Sequence, residues 1–150
     1  MSHTYSNLLT HVVFSTHERA PYIADAIRDD LYAYMGGIVR ELRGTAIVIG
    51  GTNDHVHMLL RLPCEMAIAD CLRLVKTNSS RWVHEKWPER RTFAWQTGYG
   101  AFSVSESGYS RVVEYIRGQE GHHRKMSFRD EFILLLRKHG IEFDERYLWR

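Results

Sequence analysis

The first hydrophobic stretch, Ser6 to Ser15, is rich in β-branched and aromatic side chains and predicts a strand. After Pro21, the residues Ile27, Leu31, Tyr34, Ile38 and Leu42 recur at steps of three and four, the signature of an amphipathic helix. Gly44 ends that helix, and Thr45 to Ile49 forms a short second strand. Gly50-Gly51-Thr52-Asn53 reads as a tight turn into a third strand, Asp54 to Leu62. A second long helix runs from about Met66 to Trp87, with Ile68, Leu72, Val75, Ser79 and Trp82 along one side. Phe93 to Val104 is a fourth strand, interrupted by Gly98 and Gly100. Ser105 or Ser107 then caps a third helix reaching about Gln119. Ser127 opens a fourth, Phe128 to His139, which stops at Gly140. The order β-α-β-β-α-β followed by helices predicts an α+β fold. It is a ferredoxin-like split βαβ unit with an antiparallel sheet and additional C-terminal helices.

Composition adds boundaries to this outline. With 150 residues, three prolines and no Gly/Ser-rich linker or repeat, residues 1–150 are expected to form one domain. The hydrophobic fraction of 44% and charged fraction of 25% are those of a soluble globular chain. No apolar run approaches the roughly eighteen residues of a membrane span. The segment Met1-Ser2-His3-Thr4-Tyr5 lacks the basic start and apolar stretch of a signal peptide, so a cytoplasmic location is expected. Cys64 and Cys71 form no Cys-x-x-Cys pair and read as packing thiols in a reducing compartment. A net charge of +2 permits nucleic-acid binding without arguing for it. Nine histidines and eight tyrosines say more, and direct attention to where those side chains gather.

The third strand carries His55-Val56-His57. Side chains alternate along a strand, so the two imidazoles project the same way, roughly 6–7 Å apart at the backbone. They form either a partial site for a divalent metal or a pair of hydrogen-bonding side chains on a half-exposed face. On the third helix, Tyr109, Val112, Val113 and Ile116 form the apolar stripe. Tyr115 and Gln119 fall beside it, one turn apart, so a hydroxyl and an amide oxygen can meet one small site. A boundary tyrosine packed against its neighbours is the plainer reading. On the second helix, Arg73, Lys76, Thr77, Ser80 and His84 share a polar side that can follow a phosphate backbone or simply face water. Arg124 and Lys125 form a second small basic site. Tyr99 and Phe102 are candidates for stacking on bases, with core packing at least as natural for Phe102.

Taken together, these motifs resemble the single-tyrosine HUH transposases of the insertion-sequence-200 type, including the REP-associated tyrosine transposases. His55-Val56-His57 resembles their His-hydrophobic-His motif, and Tyr115-Ile116-Arg117-Gly118-Gln119 their Tyr-x-x-x-Gln helix, followed by Glu120-Gly121-His122-His123. Phe93-Ala94-Trp95-Gln96, the run Gly98 to Ser105 and the ending Gly140 to Trp149 are similar too, in the family's order along nearly the whole chain. The resemblance implies that His55, His57 and Gln119 bind a divalent metal, Mg2+ or Mn2+, and that Tyr115 is the nucleophile. It implies cleavage and rejoining of single-stranded DNA through a 5′-phosphotyrosine, with a hairpin end recognised and a homodimer in which one subunit's tyrosine helix can complete the other's site. The proton acceptor for Tyr115 is left open, His122 being a candidate by position. Replication initiators and relaxases share the histidines and the tyrosine, often in another order or in longer chains. A single-strand-binding module with a ferredoxin-like sheet is the reading from another class.

Overall fold

Strand β1 (Leu8–Ser15) lies inside a four-stranded sheet of order β2-β3-β1-β4, in which every neighbouring pair is antiparallel. Its partners are β3 (His55–Leu62) and β4 (Gly100–Val104), and β2 (Thr45–Gly51) closes the edge beyond β3. The computed structural model describes residues 3–149, so Met1, Ser2 and Arg150 lie outside the described residues. Five helices complete it: α1 (Asp25–Glu41), α2 (Ile68–Lys86), α3 (Tyr109–Arg117), α4 (Gln119–His122) and α5 (Phe128–Lys138). The strand order and the helix positions are those of the α+β, split βαβ arrangement that the sequence predicts. Among the described residues, no helix is long and apolar enough to cross a membrane.

The sheet is buried on both faces. Val12 and Phe14 of β1 point the same way as Val56, Met58, Leu60 and Leu62 of β3, against Ile27, Leu31, Met35 and Val39 of α1 and Leu72, Val75 and Val83 of α2. On the opposite face, Leu9 and Leu59 pack under Val113 and Ile116 of α3, while Val13 packs with Phe128, Phe132 and Leu136 of α5. The added C-terminal helices therefore roof the face that carries His55 and His57. Those histidines are fully buried, which removes the half-exposed alternative.

Four local expectations change. The buried stripe of α1 follows four-residue steps through Met35 and Val39, while Tyr34 turns aside to stack on Trp82, ring centres 4.5 Å apart. Gly50 and Gly51 belong to β2 rather than to the turn, and α3 descends onto Gly50, where a Cβ would stand 2.3 Å from the Ile116 carbonyl oxygen. Only a residue without a side chain permits that approach. The fourth strand begins at Gly100 instead of Phe93. Upstream of it, the carbonyls of Gln96, Thr97 and Gly98 accept from Lys76 Nζ at 3.1, 3.2 and 2.5 Å, so a side chain replaces a ladder partner. The third helix breaks at Gly118, placing Gln119 at the start of α4, and its entry is a 3-10 turn over Glu106–Gly108 without a side-chain cap. Ser127 does cap α5, its Oγ accepting from Asp130 N at 3.2 Å.

Candidate active site

Alternation on β3 turns His55 and His57 under the helical roof, and each ring is held from behind. His55 Nδ1 lies 2.8 Å from Asp54 Oδ1 and 3.1 Å from Thr52 Oγ1, and its ring stacks on Phe128 at 4.1 Å. His57 Nδ1 lies 2.8 Å from Nε2 of His11, the inward side chain of β1. Burial, and then the neighbouring His57, lowers the His11 pKa to about 3. Burial likewise lowers His57 to about 4, against the opposing pull of Glu131. His11 and His57 are thus neutral at pH 7, and His57 is available as a ligand through Nε2.

Glu131 stands at the centre. It sits on the apolar side of α5, between Phe128 and Phe132, and is 1% exposed. Its Oε1 lies 3.0 Å from His57 Nε2, 3.0 Å from His123 Nε2 and 3.6 Å from His55 Nε2. Its Oε2 accepts from the Tyr115 hydroxyl and, at 2.9 Å, from Gln119 Nε2. Burial pushes the Glu131 carboxyl up, but the hydrogen bonds from His123, His57 and Tyr115 outweigh it and hold the group well below the usual carboxylate range. Burial and the adjacent Glu131 charge both push the Tyr115 hydroxyl well above the usual tyrosine range. His123 is raised, because Glu131 offsets the effect of burial.

The donor set fits a cation. Gln119 Nε2 is committed to Glu131, which turns its Oε1 toward His55 Nε2 at 2.8 Å. His55 therefore faces oxygen atoms from both ring nitrogens, while a neutral imidazole carries one proton. With that proton toward Asp54, the Nε2 lone pair meets the lone pairs of Gln119 and Glu131, and a positive ion among them removes the repulsion. An aspartate behind a histidine is the usual second layer of such centres. Ligand atoms of His55, His57, His123 and Glu131 all lie within 4.8 Å of one another.

Of the residues singled out in the sequence, His55, His57, Tyr115 and Gln119 meet here, within one chain. The helix-face argument missed His11, His123 and Glu131. Glu131 could have been found, since it interrupts the apolar side of Phe128-Arg129-Asp130-Glu131-Phe132 and a carboxylate on such a stripe calls for partners. His122 Nε2 comes within 3.3 Å of Glu131 Oε2 without hydrogen-bond geometry, so Glu131 rather than His122 receives the Tyr115 hydroxyl.

The basic residues lie elsewhere. Helix α2 covers the other face of the sheet, where Arg73, Lys76, Thr77, Ser80, Trp95 and Tyr99 line a cleft of about 470 Å³. Arg73 is exposed and only 3.9 Å from Asp70. Lys76 lies in the same cleft, its ammonium held by the three carbonyls over the Phe14 and Tyr99 rings, and burial lowers its pKa to about 8. Likewise, His84 Nε2 is bound to the Phe93 carbonyl at 2.7 Å, and Phe102 is core. Arg124 lines a second cleft, of about 530 Å³, with Arg19, Arg28, Asn53 and His123, and Lys125 is exposed.

Known proteins share this sequence and fold. The family model described as "Transposase IS200 like" matches residues 4–119. The transposase of insertion sequence IS200 from Salmonella typhimurium is 27% identical over 128 residues, covering 79% of this chain and 81% of that protein. The ISDra2 transposase TnpA of Deinococcus radiodurans is 24% identical over 114 residues, covering 73% and 81%. A crystal structure from Deinococcus radiodurans, assigned as a transposase, superposes with a TM-score of 0.64 at 22% identity, covering 79% of this chain and 95% of that one. A REP-associated tyrosine transposase bound to a REP hairpin gives 0.60 at 15%, covering 82% and 74%. Because the family model matches residues 4–119, well over half of its length, this chain belongs to the IS200-like transposases.

Proposed function

We propose that the protein cleaves and rejoins single-stranded DNA by metal-assisted transesterification, with Tyr115 as the nucleophile. One observation carries the reading: the Tyr115 hydroxyl, Gln119 and both motif histidines converge on a single buried carboxylate. His55, His57 and Gln119 would hold Mg2+ or Mn2+, which polarises the scissile phosphate and neutralises charge growing on its oxygens. Tyr115 attacks phosphorus, the new Tyr–O–P bond replaces the bond to the 3′ oxygen, and a 5′-phosphotyrosine and a 3′-hydroxyl result. Glu131 Oε2, which already accepts the hydroxyl's hydrogen bond, is placed to receive its proton as the Tyr–O–P bond forms, and the departing 3′ oxygen takes up a proton. The phosphotyrosine keeps the energy of the broken diester, so a second 3′-hydroxyl can reverse the step without a nucleotide cofactor. Incubation with end-labelled single-stranded DNA and Mn2+ tests this: a denaturation-resistant protein–DNA adduct is expected. Cleavage without adduct would make water the nucleophile, and binding alone would leave a binding module.

For the DNA path, Arg73, Ser80, Arg124 and Lys125 are the proposed phosphate contacts, with a hairpin end as the DNA element bound, as in the REP-hairpin complex of a structural neighbour. Arg73→Ala should reduce the salt dependence of single-strand binding by about one unit of slope. Lys76→Met should leave the slope unchanged and lower the melting temperature, because its loss strands three carbonyls. A slope that falls with Lys76 and not with Arg73 would reverse these roles.

The family resemblance supports a homodimer, with two equivalent sites. Since Tyr115 reaches the cluster of its own chain, we propose that each site is complete within one subunit. Mixed dimers of Tyr115→Phe and His57→Ala subunits should then remain inactive. Recovered cleavage would mean that the tyrosine helix is shared between subunits, and a monomer in sedimentation would remove the dimer.

A further inference from the structure

We propose that His123 and Glu131 are also metal ligands, making an imidazole-rich centre that takes a transition-metal dication in preference to Mg2+. The inference rests on the metal-assisted reading above and extends it to residues outside the family-matched segment, which ends at Gln119.

Three Nε2 atoms surround one carboxylate oxygen, at 3.0 Å for His57, 3.0 Å for His123 and 3.6 Å for His55. Ligands about 2.1 Å from a common ion are separated by about 3.0–3.4 Å along the edges of an octahedron or tetrahedron. The spacings from Oε1, 3.0 to 3.6 Å, lie close to that range, and the ligand atoms of all four residues fall within 4.8 Å of one another. Burial adds to the case. His55, His57 and Glu131 are at most 1% exposed, so the carboxylate is cut off from water. The outer layer is also built: Asp54 holds Nδ1 of His55 and His11 holds Nδ1 of His57, each at 2.8 Å, which aims both Nε2 atoms inward.

The chemistry of the donors selects the metal. Mg2+ prefers oxygen ligands and keeps several waters, whereas imidazole suits the later divalent ions. Three imidazoles, one carboxylate and one amide oxygen in a dry pocket match Mn2+, Co2+ or Zn2+ better. The two carboxylate oxygens divide the work. Oε1 faces the imidazoles, and Oε2 stays with Tyr115 and Gln119, so α5 ties the metal to the nucleophile.

The test uses the purified full chain without DNA and reads metal binding directly. Titration with Mn2+, followed by the loss of the free-ion electron paramagnetic resonance signal, should give one site that a roughly hundredfold excess of Mg2+ does not empty. Glu131→Gln and His123→Asn should each weaken Mn2+ binding by about tenfold or more. A readout that needs no variant is the proton spectrum of the Co2+-loaded wild type, where three strongly shifted imidazole N–H resonances are expected, from His55, His57 and His123. Two such resonances, wild-type affinity in both variants, or displacement by equimolar Mg2+ would overturn the proposal. If His57→Ala still lost the metal in that case, the paired histidines and Gln119 would form the whole shell and the proposed reaction would stand. Wild-type protein that binds no divalent ion would remove the metal-assisted reaction as well.

Discussion

Tyr115→Phe should bind single-stranded DNA about as tightly as the wild type, yet form neither cleaved product nor covalent adduct. The substitution removes one oxygen and keeps the ring, which packs edge-on to His11 and His57 with centres 6.2 and 5.7 Å away. Glu131 loses one donor but retains His57, His123 and Gln119, so the cost in stability should be about 1 kcal/mol. Losing a nucleophile is a different order of effect, typically a factor of about a million in turnover in enzymes that depend on one. Cleavage should fall by at least about a thousandfold. The decisive measurement is mass spectrometry of the wild-type adduct, which should find a 5′-phosphate on the peptide containing Tyr115. An adduct on Tyr109, which packs with Val113 in the apolar layer, would overturn the assignment.

The second large effect concerns the paired histidines. His55→Ala and His57→Ala should each abolish cleavage, and a chelator should do the same to the wild type. Stability provides an independent reading, because an ion that binds only the folded state adds about 2.7 kcal/mol at a hundred times its dissociation constant. For a chain of this size that amounts to a rise of about 5–10 °C in melting temperature with saturating Mn2+. The rise should vanish in either variant while much of the DNA affinity survives, because Arg73 and Ser80 lie across the sheet from the cluster. Full cleavage in excess chelator would defeat metal assistance outright.

Much of this was legible before any coordinates, and what was not has identifiable causes. β-Branched and aromatic content found β1, the glycine-rich turn marked the start of β3, and apolar steps of three and four found α1 and α2, because local geometry writes such requirements into the sequence. The paired histidines and the Tyr115–Gln119 spacing were readable for the same reason. Phe93 and Trp95 misled, since aromatic alternation looks like a strand, whereas Trp95 makes only an isolated bridge to Thr16 and the carbonyls that follow it are satisfied by Lys76. Lys76 itself shared a polar helix face with Arg73, and a one-dimensional pattern cannot tell a solvated ammonium from one capped by a loop twenty residues on. Glu131 and His123 are contributed by a separate part of the chain, and only tertiary packing brings them to β3.

The approach of α3 to Gly50 sets a mechanical tolerance on the chemistry. The chain meets its own backbone there, with the Ile116 carbonyl seated where a Cβ would otherwise stand, so no rotamer can give way between sheet and helix. Ile116 adjoins Tyr115, so this contact helps to set the height of the Tyr115 hydroxyl, the proposed attacking group, above the histidines, as a shim sets a bearing. A single methyl inserted by Gly50→Ala would lift the helix instead of being absorbed. A displacement of about 1 Å in a reacting group costs on the order of a hundredfold in rate, so Gly50→Ala should slow the proposed cleavage although the glycine has no functional group of its own.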